Sequence, residues 1–170
     1  MIENLIKKFG KEAVDDGHCI IHFDENAKTF REMFQRYALY DTVIEIGTNR
    51  GITAALLSCY AKRVITIDIE LNDWCFKFWK YLKRDNISYF VYKPEDIYSY
   101  LENETFDFAF IDGDHTGNFP RNDFEAVKKC GKVLFHDYFL DKRFPAVNEV
   151  INSLEGHLWI KEPYVLWRAE

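Results

Sequence analysis

At 170 residues the chain can bury one substantial core, and 48% hydrophobic against 29% charged residues is the balance of a globular fold. A net charge of −6 argues against a nucleic-acid scaffold, which needs a basic footprint, and Lys7, Lys8 and Lys11, which could form a small local patch, read as a solvated helix face, so no nucleic-acid partner is expected. No apolar run reaches the length of a membrane span and the N-terminus lacks a signal-peptide core, while Cys19, Cys59, Cys75 and Cys130 form no Cys-x-x-Cys or zinc pattern; a cytoplasmic protein with no membrane partner is expected.

No repeat or linker divides the sequence, so one domain over 1–170 is expected, with a helical cover at 1–40 and an α/β core at 41–170. In the cover, Leu5, Ile6 and Phe9, then Phe30, Met33, Phe34 and Tyr37, predict two amphipathic helices lying on a sheet or over its mouth. The stretch from Gly17 to Asn26 is open between strand and loop. His18 and His22 within it fit a lid better than a metal pair, because Cys19, Ile20 and Ile21 between them look strand-like.

From Thr42 onward short β-branched or aromatic runs alternate with helical stretches, the pattern of crossover units on a parallel sheet. Strands are predicted at Thr42–Ile46, Val64–Asp68, Ser88–Tyr92, Phe106–Asp112 and Val133–His136. Helices are predicted from Ile52 to Tyr60, from Asp123 to Lys129 and from Pro145 to Leu154, and Pro94 suits the first turn of another. Trp74, Phe78 and Leu82 recur at helical spacing and predict one helix face on the sheet, with Phe76 and Trp79 also read as core. His157–Ile160 and Tyr164–Trp167 read as an antiparallel hairpin at one edge.

Ligands of open α/β sheets sit beyond the carboxyl ends of the strands. Polar residues collect there at every strand: Glu45 with Gly47, Asp68, Glu95 with Asp96, Asp112 with Asp114, and His136 with Asp137. Gly47 and Gly51 permit a tight turn and close backbone approach of a ligand, and Asp68 can accept ribose hydroxyls. A dinucleotide fingerprint, Gly-x-Gly-x-x-Gly, is spoiled by Asn49 and Ile52, which crowd a pyrophosphate. Glu45 would repel a pyrophosphate but suits an ammonium group. An NAD-linked oxidoreductase is therefore the weaker alternative, and a nucleoside-binding module without catalysis is another.

Glu45-Ile46-Gly47-Thr48-Asn49-Arg50-Gly51 resembles the first motif of class I S-adenosylmethionine-dependent methyltransferases, and Val64-Ile65-Thr66-Ile67-Asp68 resembles the second. The resemblance runs from Asp41 to Trp167. It implies a Rossmann-like fold: a seven-stranded, mostly parallel sheet with a C-terminal antiparallel hairpin and helices on both faces. It implies a cofactor site of Glu45, Gly47, Thr48, Asn49, Gly51, Asp68, Ile69 and Asp112, with Ile69 against the adenine and Asp96 or Glu95 at its amino group.

Ile111-Asp112-Gly113-Asp114-His115, followed by Phe135-His136-Asp137-Tyr138, is similar to the small-molecule O-methyltransferase branch that holds macrocin and cephalosporin-cluster relatives. That branch implies transfer to a hydroxyl of a small-molecule acceptor, Tyr138 and Phe139 serving as pocket walls. His115 is the implied base and Asp112 the second catalytic residue. In metal-dependent relatives the matching positions are Asp112, His136 and Asp137, implying Mg2+ or another divalent cation. Imidazole at 136 departs from the usual oxygen donor and suits other metals better than Mg2+, so His136 is open between ligand and core residue. The chain carries no inserted cap, so either the acceptor is small or a second subunit of a homo-oligomer completes the pocket.

Overall fold

The computed structural model describes residues 1–14, 24–35 and 40–170. The lid reading of His18 and His22, Tyr37, and most of the 17–26 segment lie outside these residues. Seven strands, β1 (Tyr40–Ile46), β2 (Ala61–Asp68), β3 (Ile87–Val91), β4 (Phe108–Ile111), β5 (Lys132–Phe135), β6 (His157–Lys161) and β7 (Tyr164–Arg168), form one sheet. Their order is β3-β2-β1-β4-β5-β7-β6. The first five are parallel, and β6 and β7 close the edge as an antiparallel hairpin.

Strand side chains alternate between faces, so each of the central strands serves two cores. Ile44, Ile46, Ile65, Ile67, Ala109 and Ile111 meet α6 (Pro94–Asn103), α7 (Phe119–Val127) and α8 (Pro145–Asn152). Val43, Val64, Phe108, Phe110 and Leu134 meet α3 (Asp24–Gln35), α4 (Ile52–Leu57) and α5 (Asp73–Leu82) on the other face. Near-continuous apolar strands follow from this double burial.

Aromatic side chains fill both faces of the sheet, and on one of them they meet α3. Phe34 meets Phe108 edge-on at 5.0 Å, and Phe30 meets Phe110 at 5.2 Å. Each fully buried Phe contributes about 1.5–3 kcal/mol through area alone. These contacts anchor α3 flat on the sheet.

Three expectations shift. The Trp74 and Phe78 stripe of α5 turns away from the sheet and packs on α1 (Ile2–Phe9), with Phe9 5.3 Å from Phe78 and 6.2 Å from Trp74. Cys75 and Trp79, one position along, take the sheet-facing place, and Phe76 is exposed. Helix α7 begins at Phe119 instead of Asp123, because Pro120 fits its first turn, and it ends in a single 3-10 turn at Lys128–Cys130. A short α2 (Lys11–Val14) follows Gly10. No helix among the described residues is long and apolar enough to cross a membrane.

Candidate active site

The carboxyl ends of β1, β2 and β4 open onto a cavity of about 520 Å³, within the roughly 300–1,000 Å³ usual for small ligands. Gly47, Asn49, Asp68, Ile69 and Asp112 line it. Of the other residues expected at a cofactor, Thr48 and Gly51 stand behind the wall, Asp96 is exposed and outside it, and Glu45 is wholly buried. The side chain of Glu95 lies outside the described residues.

The turn after β1 is built around Asp68. Its Oδ2 accepts the amides of Thr48 and Asn49 at 2.9 and 2.8 Å, and Oδ1 accepts that of Ile69 at 2.7 Å. Asn49 sits at φ 45°, a left-handed conformation that Asn tolerates better than most residues. A carboxylate has about four acceptor sites, so Asp68 retains roughly one, on Oδ1, for a ligand hydroxyl. Gly47, at φ 95°, leaves the backbone of Asp112 room to pass: a Cβ there would lie 2.0 Å from the Asp112 carbonyl oxygen. Gly51 serves packing instead, since the Trp79 indole covers it and donates to its carbonyl at 2.6 Å.

Behind this turn Thr48 donates to Thr66 at 2.6 Å, and Thr66 donates onward to Glu45 Oε2. Burial, only partly offset by the Thr66 hydrogen bond, raises the Glu45 carboxyl well above the usual range. Its Oε1 has no hydrogen-bond partner among the described residues. Glu45 therefore stiffens the turn from behind.

A second cluster caps β4 and β5. Register pairs Ile111 with Phe135, so the next residues, Asp112 and His136, emerge side by side. His136 Nδ1 lies 2.7 Å from Asp112 Oδ1 and 3.4 Å from Asp137 Oδ2. Asp137 is held at φ 61°, the left-handed region, which brings its carboxylate back over the strand ends. His115 Nε2 approaches Asp137 Oδ2 at 3.0 Å and Asp112 Oδ1 at 3.8 Å, without the alignment of a hydrogen bond. The His136 ring is buried and packs on Tyr164, centroids 4.9 Å apart, so it is both a core residue and part of the site.

Two carboxylates and two imidazoles balance one another. Burial disfavours the His115 cation, but the charges of Asp137 and Asp112 outweigh it and hold the ring's pKa up at about 9. His136 shifts the same way against its burial, drawn by Asp112 and Asp137. Burial works against both carboxylates too, and the two rings nonetheless hold them below the ordinary range. Neither carboxylate needs to stay protonated, as two facing acids alone would.

The same atoms fit a divalent cation. Donors at about 2.1 Å from an octahedral ion sit about 3.0 Å apart, and those of a tetrahedral ion about 3.4 Å. Asp112, His136 and Asp137 each offer one ligand atom, all within 4.8 Å of one another, and the His136–Asp112 and His136–Asp137 edges of 2.7 and 3.4 Å bracket these values. Mixed carboxylate and imidazole donors suit Mn, Fe or Zn better than Mg2+.

Asp123, Tyr98, Ile97 and Phe119 line the cavity as well, and no motif announced them. The available signal was an acid on the buried face of α7 beside Pro120, Phe124 and Val127. Placing the start of that helix at Asp123 hid it. Tyr138 is buried under α8 and Phe139 packs on Phe144; neither lines this cavity.

Comparisons agree with this architecture. Among solved structures, the cofactor-bound protein Rv0187 from MTB is 14% identical, with 98% of this chain and 94% of that one covered at a TM-score of 0.70. The Streptococcus mutans protein SMU.1697c, solved with S-adenosylhomocysteine, is 16% identical, covering 86% and 98% with a TM-score of 0.64. An rRNA methylase from Streptococcus thermophilus is 18% identical, covering 84% and 95% with a TM-score of 0.61. These likenesses establish the shared fold. Among curated proteins none matches the chain in sequence. The family model described as a methyltransferase domain matches residues 44–138, from the middle of β1 through the His136–Asp137 cluster. The chain belongs to this methyltransferase-domain family.

Proposed function

We propose that this protein transfers the methyl group of S-adenosylmethionine to a hydroxyl oxygen of a small acceptor, assisted by a divalent cation held by Asp112, His136 and Asp137. One observation carries the reading: Asp112 belongs both to the cavity that Asp68 closes at its other side and to the cluster at the ends of β4 and β5. A nucleoside held at Asp68 would thus extend toward a proton-handling centre. The net charge of −6 favours a small acceptor over a nucleic acid.

Methyl transfer needs the acceptor oxygen in line with the carbon–sulfur bond and its proton removed. The oxygen forms the new bond to the methyl carbon while the old bond's electron pair returns to sulfur, giving S-adenosylhomocysteine. Removal of the hydroxyl proton is assigned to His115, whose Nε2 is buried 3.0 Å from Asp137 Oδ2. With both carboxylates bearing on it, however, His115 is an imidazolium at neutral pH and cannot accept one. A cation bound by Asp112, His136 and Asp137 would satisfy those carboxylates, lower the proton affinity of the ring and polarise the acceptor hydroxyl.

Calorimetric titration with S-adenosylmethionine, S-adenosylhomocysteine and NAD tests the cofactor, and transfer to a panel of phenols and sugars, with Mn2+ or with excess chelator, tests the reaction. The expected result is binding of both sulfur nucleosides but not NAD, with transfer only in the presence of metal. Failure to bind S-adenosylhomocysteine would overturn the cofactor reading. Undiminished transfer in chelator would overturn the cation.

A further inference from the structure

The cavity is lined on one side by the polar strand ends and on the other by residues of α6 and α7. Ile67, Ile97 and Phe119 line that second side together with the hydrogen-bonded pair Tyr98 and Asp123, and Lys93 and Asp114 line the cavity as well. Asp123 is only 5% exposed, and Tyr98 donates its hydroxyl proton to Asp123 Oδ1 at 3.2 Å. Nothing donates to Oδ2 among the described residues. The lack of a side chain at Gly113 keeps the space beside it clear, because a Cβ there would stand 3.3 Å from Oδ2. Apolar walls with a fixed polar contact are what a flat heteroaromatic base requires.

The rest of the cavity constrains which part of a ligand reaches this pair. Asp68 has its remaining acceptor site at the strand ends, suited to ribose, and Asp112 leads to the reacting end. The base is left for the side lined by α6 and α7, with Ile69, which lines the cavity and is 67% exposed, available against its plane. Asp96, the residue expected at the amino group, is exposed and outside the wall.

We propose that Asp123, oriented by Tyr98, reads the N1 and amino edge of the cofactor's adenine. The inference rests on the S-adenosylmethionine reading above. Burial, and the nearby charge of Asp114, raise the Asp123 carboxyl to about 7 against the Tyr98 hydrogen bond, so the neutral acid is well populated at neutral pH. Because Tyr98 donates to Oδ1, the acid proton belongs on Oδ2. The carboxyl then presents a donor at Oδ2 and an acceptor at Oδ1, the complement of adenine's N1 acceptor and amino donor. A 6-oxo base reverses both positions and leaves two mismatched groups buried. Tyr98 is thus a positioning residue that sets the polarity of the reader.

The test compares binding of S-adenosylhomocysteine and S-inosylhomocysteine by calorimetry to the wild type, Asp123→Leu, Asp123→Asn and Tyr98→Phe. The wild type should prefer the adenine compound by roughly ten- to hundredfold, the scale of hydrogen bonds left unmade in a buried site. Asp123→Leu should lose that preference. Asp123→Asn should keep it, since its amide offers the same donor and acceptor with Tyr98 bonded to its oxygen. Tyr98→Phe should retain adenine binding but narrow the preference, which a purely structural tyrosine would not do. Should Asp123→Leu fail to fold, the near-isosteric Tyr98→Phe variant decides. Unchanged discrimination in Tyr98→Phe, or in folded Asp123→Leu, would overturn the proposal while leaving the cofactor reading intact. A wild type that binds neither compound would overturn both.

Discussion

Replacing Gly47 by alanine is the sharpest perturbation this site allows. The new methyl carbon would lie 2.0 Å from the Asp112 carbonyl oxygen, 2.5 Å from its carbon and 2.9 Å from the Gly113 nitrogen. All three are backbone atoms, so no rotamer change relieves the collision. The surroundings are pinned as well: Gly47 N donates to Ile67 O, and Asp112 N donates to Ile46 O, each at 2.9 Å. The end of β1 or of β4 must therefore move. A left-handed conformation costs an L residue about 1–2 kcal/mol, and overpacking adds about 1–3 kcal/mol, giving about 2–5 kcal/mol in total. For a chain of this size each kcal/mol lowers Tm by roughly 2–4 °C, so a fall of about 4–20 °C is expected. Gly117→Ala separates the two contributions, because Gly117 also has positive φ, 54°, but an added Cβ meets nothing within 4 Å. It should lose only the conformational part. Since Gly47 and Asp112 both line the cavity, Gly47→Ala should also weaken S-adenosylhomocysteine binding by more than about tenfold, the effect of losing a well-formed contact. Thermal melts of both variants beside calorimetry read this directly. If Gly47→Ala melts with Gly117→Ala and binds nucleoside as the wild type does, the close approach of β1 and β4 described here is wrong.

Two further outcomes follow from the charged groups. Burial raises the Asp123 carboxyl to about 7, helped by Asp114 and opposed by Tyr98 and His115, so folding takes up a proton between pH about 4 and 7. Stability contributed by the neutral acid is lost as pH rises through that window, at up to about 1.4 kcal/mol per pH unit. Urea unfolding at several pH values should show Asp123→Asn gaining on the wild type up to pH about 7 and no further; parallel curves would refute the burial argument. Asp137→Asn should weaken Mn2+ binding, followed by electron paramagnetic resonance, by at least about tenfold, because a charged donor becomes a neutral one. Equal Mn2+ affinity in the two proteins would remove Asp137 from the proposed cation site.

The sheet and the end of it that opens onto the cavity were legible in the sequence because they are written in local periods. Val43 and Ile44 belong to different faces merely by being neighbours in a strand, and the alternation of such strands with helices already implies a doubly covered sheet. Gly47 marked the turn because only a residue without a side chain tolerates both its φ and its closeness to β4. Asp112, His115, His136 and Asp137 stood at strand ends, and their meeting required only that β4 and β5 be neighbours in register.

Depth and choice of partner were not legible, because they depend on segments far apart in the chain. The period of α5 identified Trp74 and Phe78 as buried, yet whether that stripe met the sheet or α1 rested on where the N-terminal helices came to lie. Glu45 sits at the strand end like Asp68, but alternation along β1 directs it behind the turn to Thr66, while Asp68 caps the turn itself. Asp123 reaches the cavity only because α7 starts a full turn earlier than its polar sequence implies and packs beside Tyr98 of α6. Local sequence records which side chains avoid water. The packing of whole helices against the sheet decides which of them faces the ligand, since that choice is made by shape and contact among residues that no short window contains.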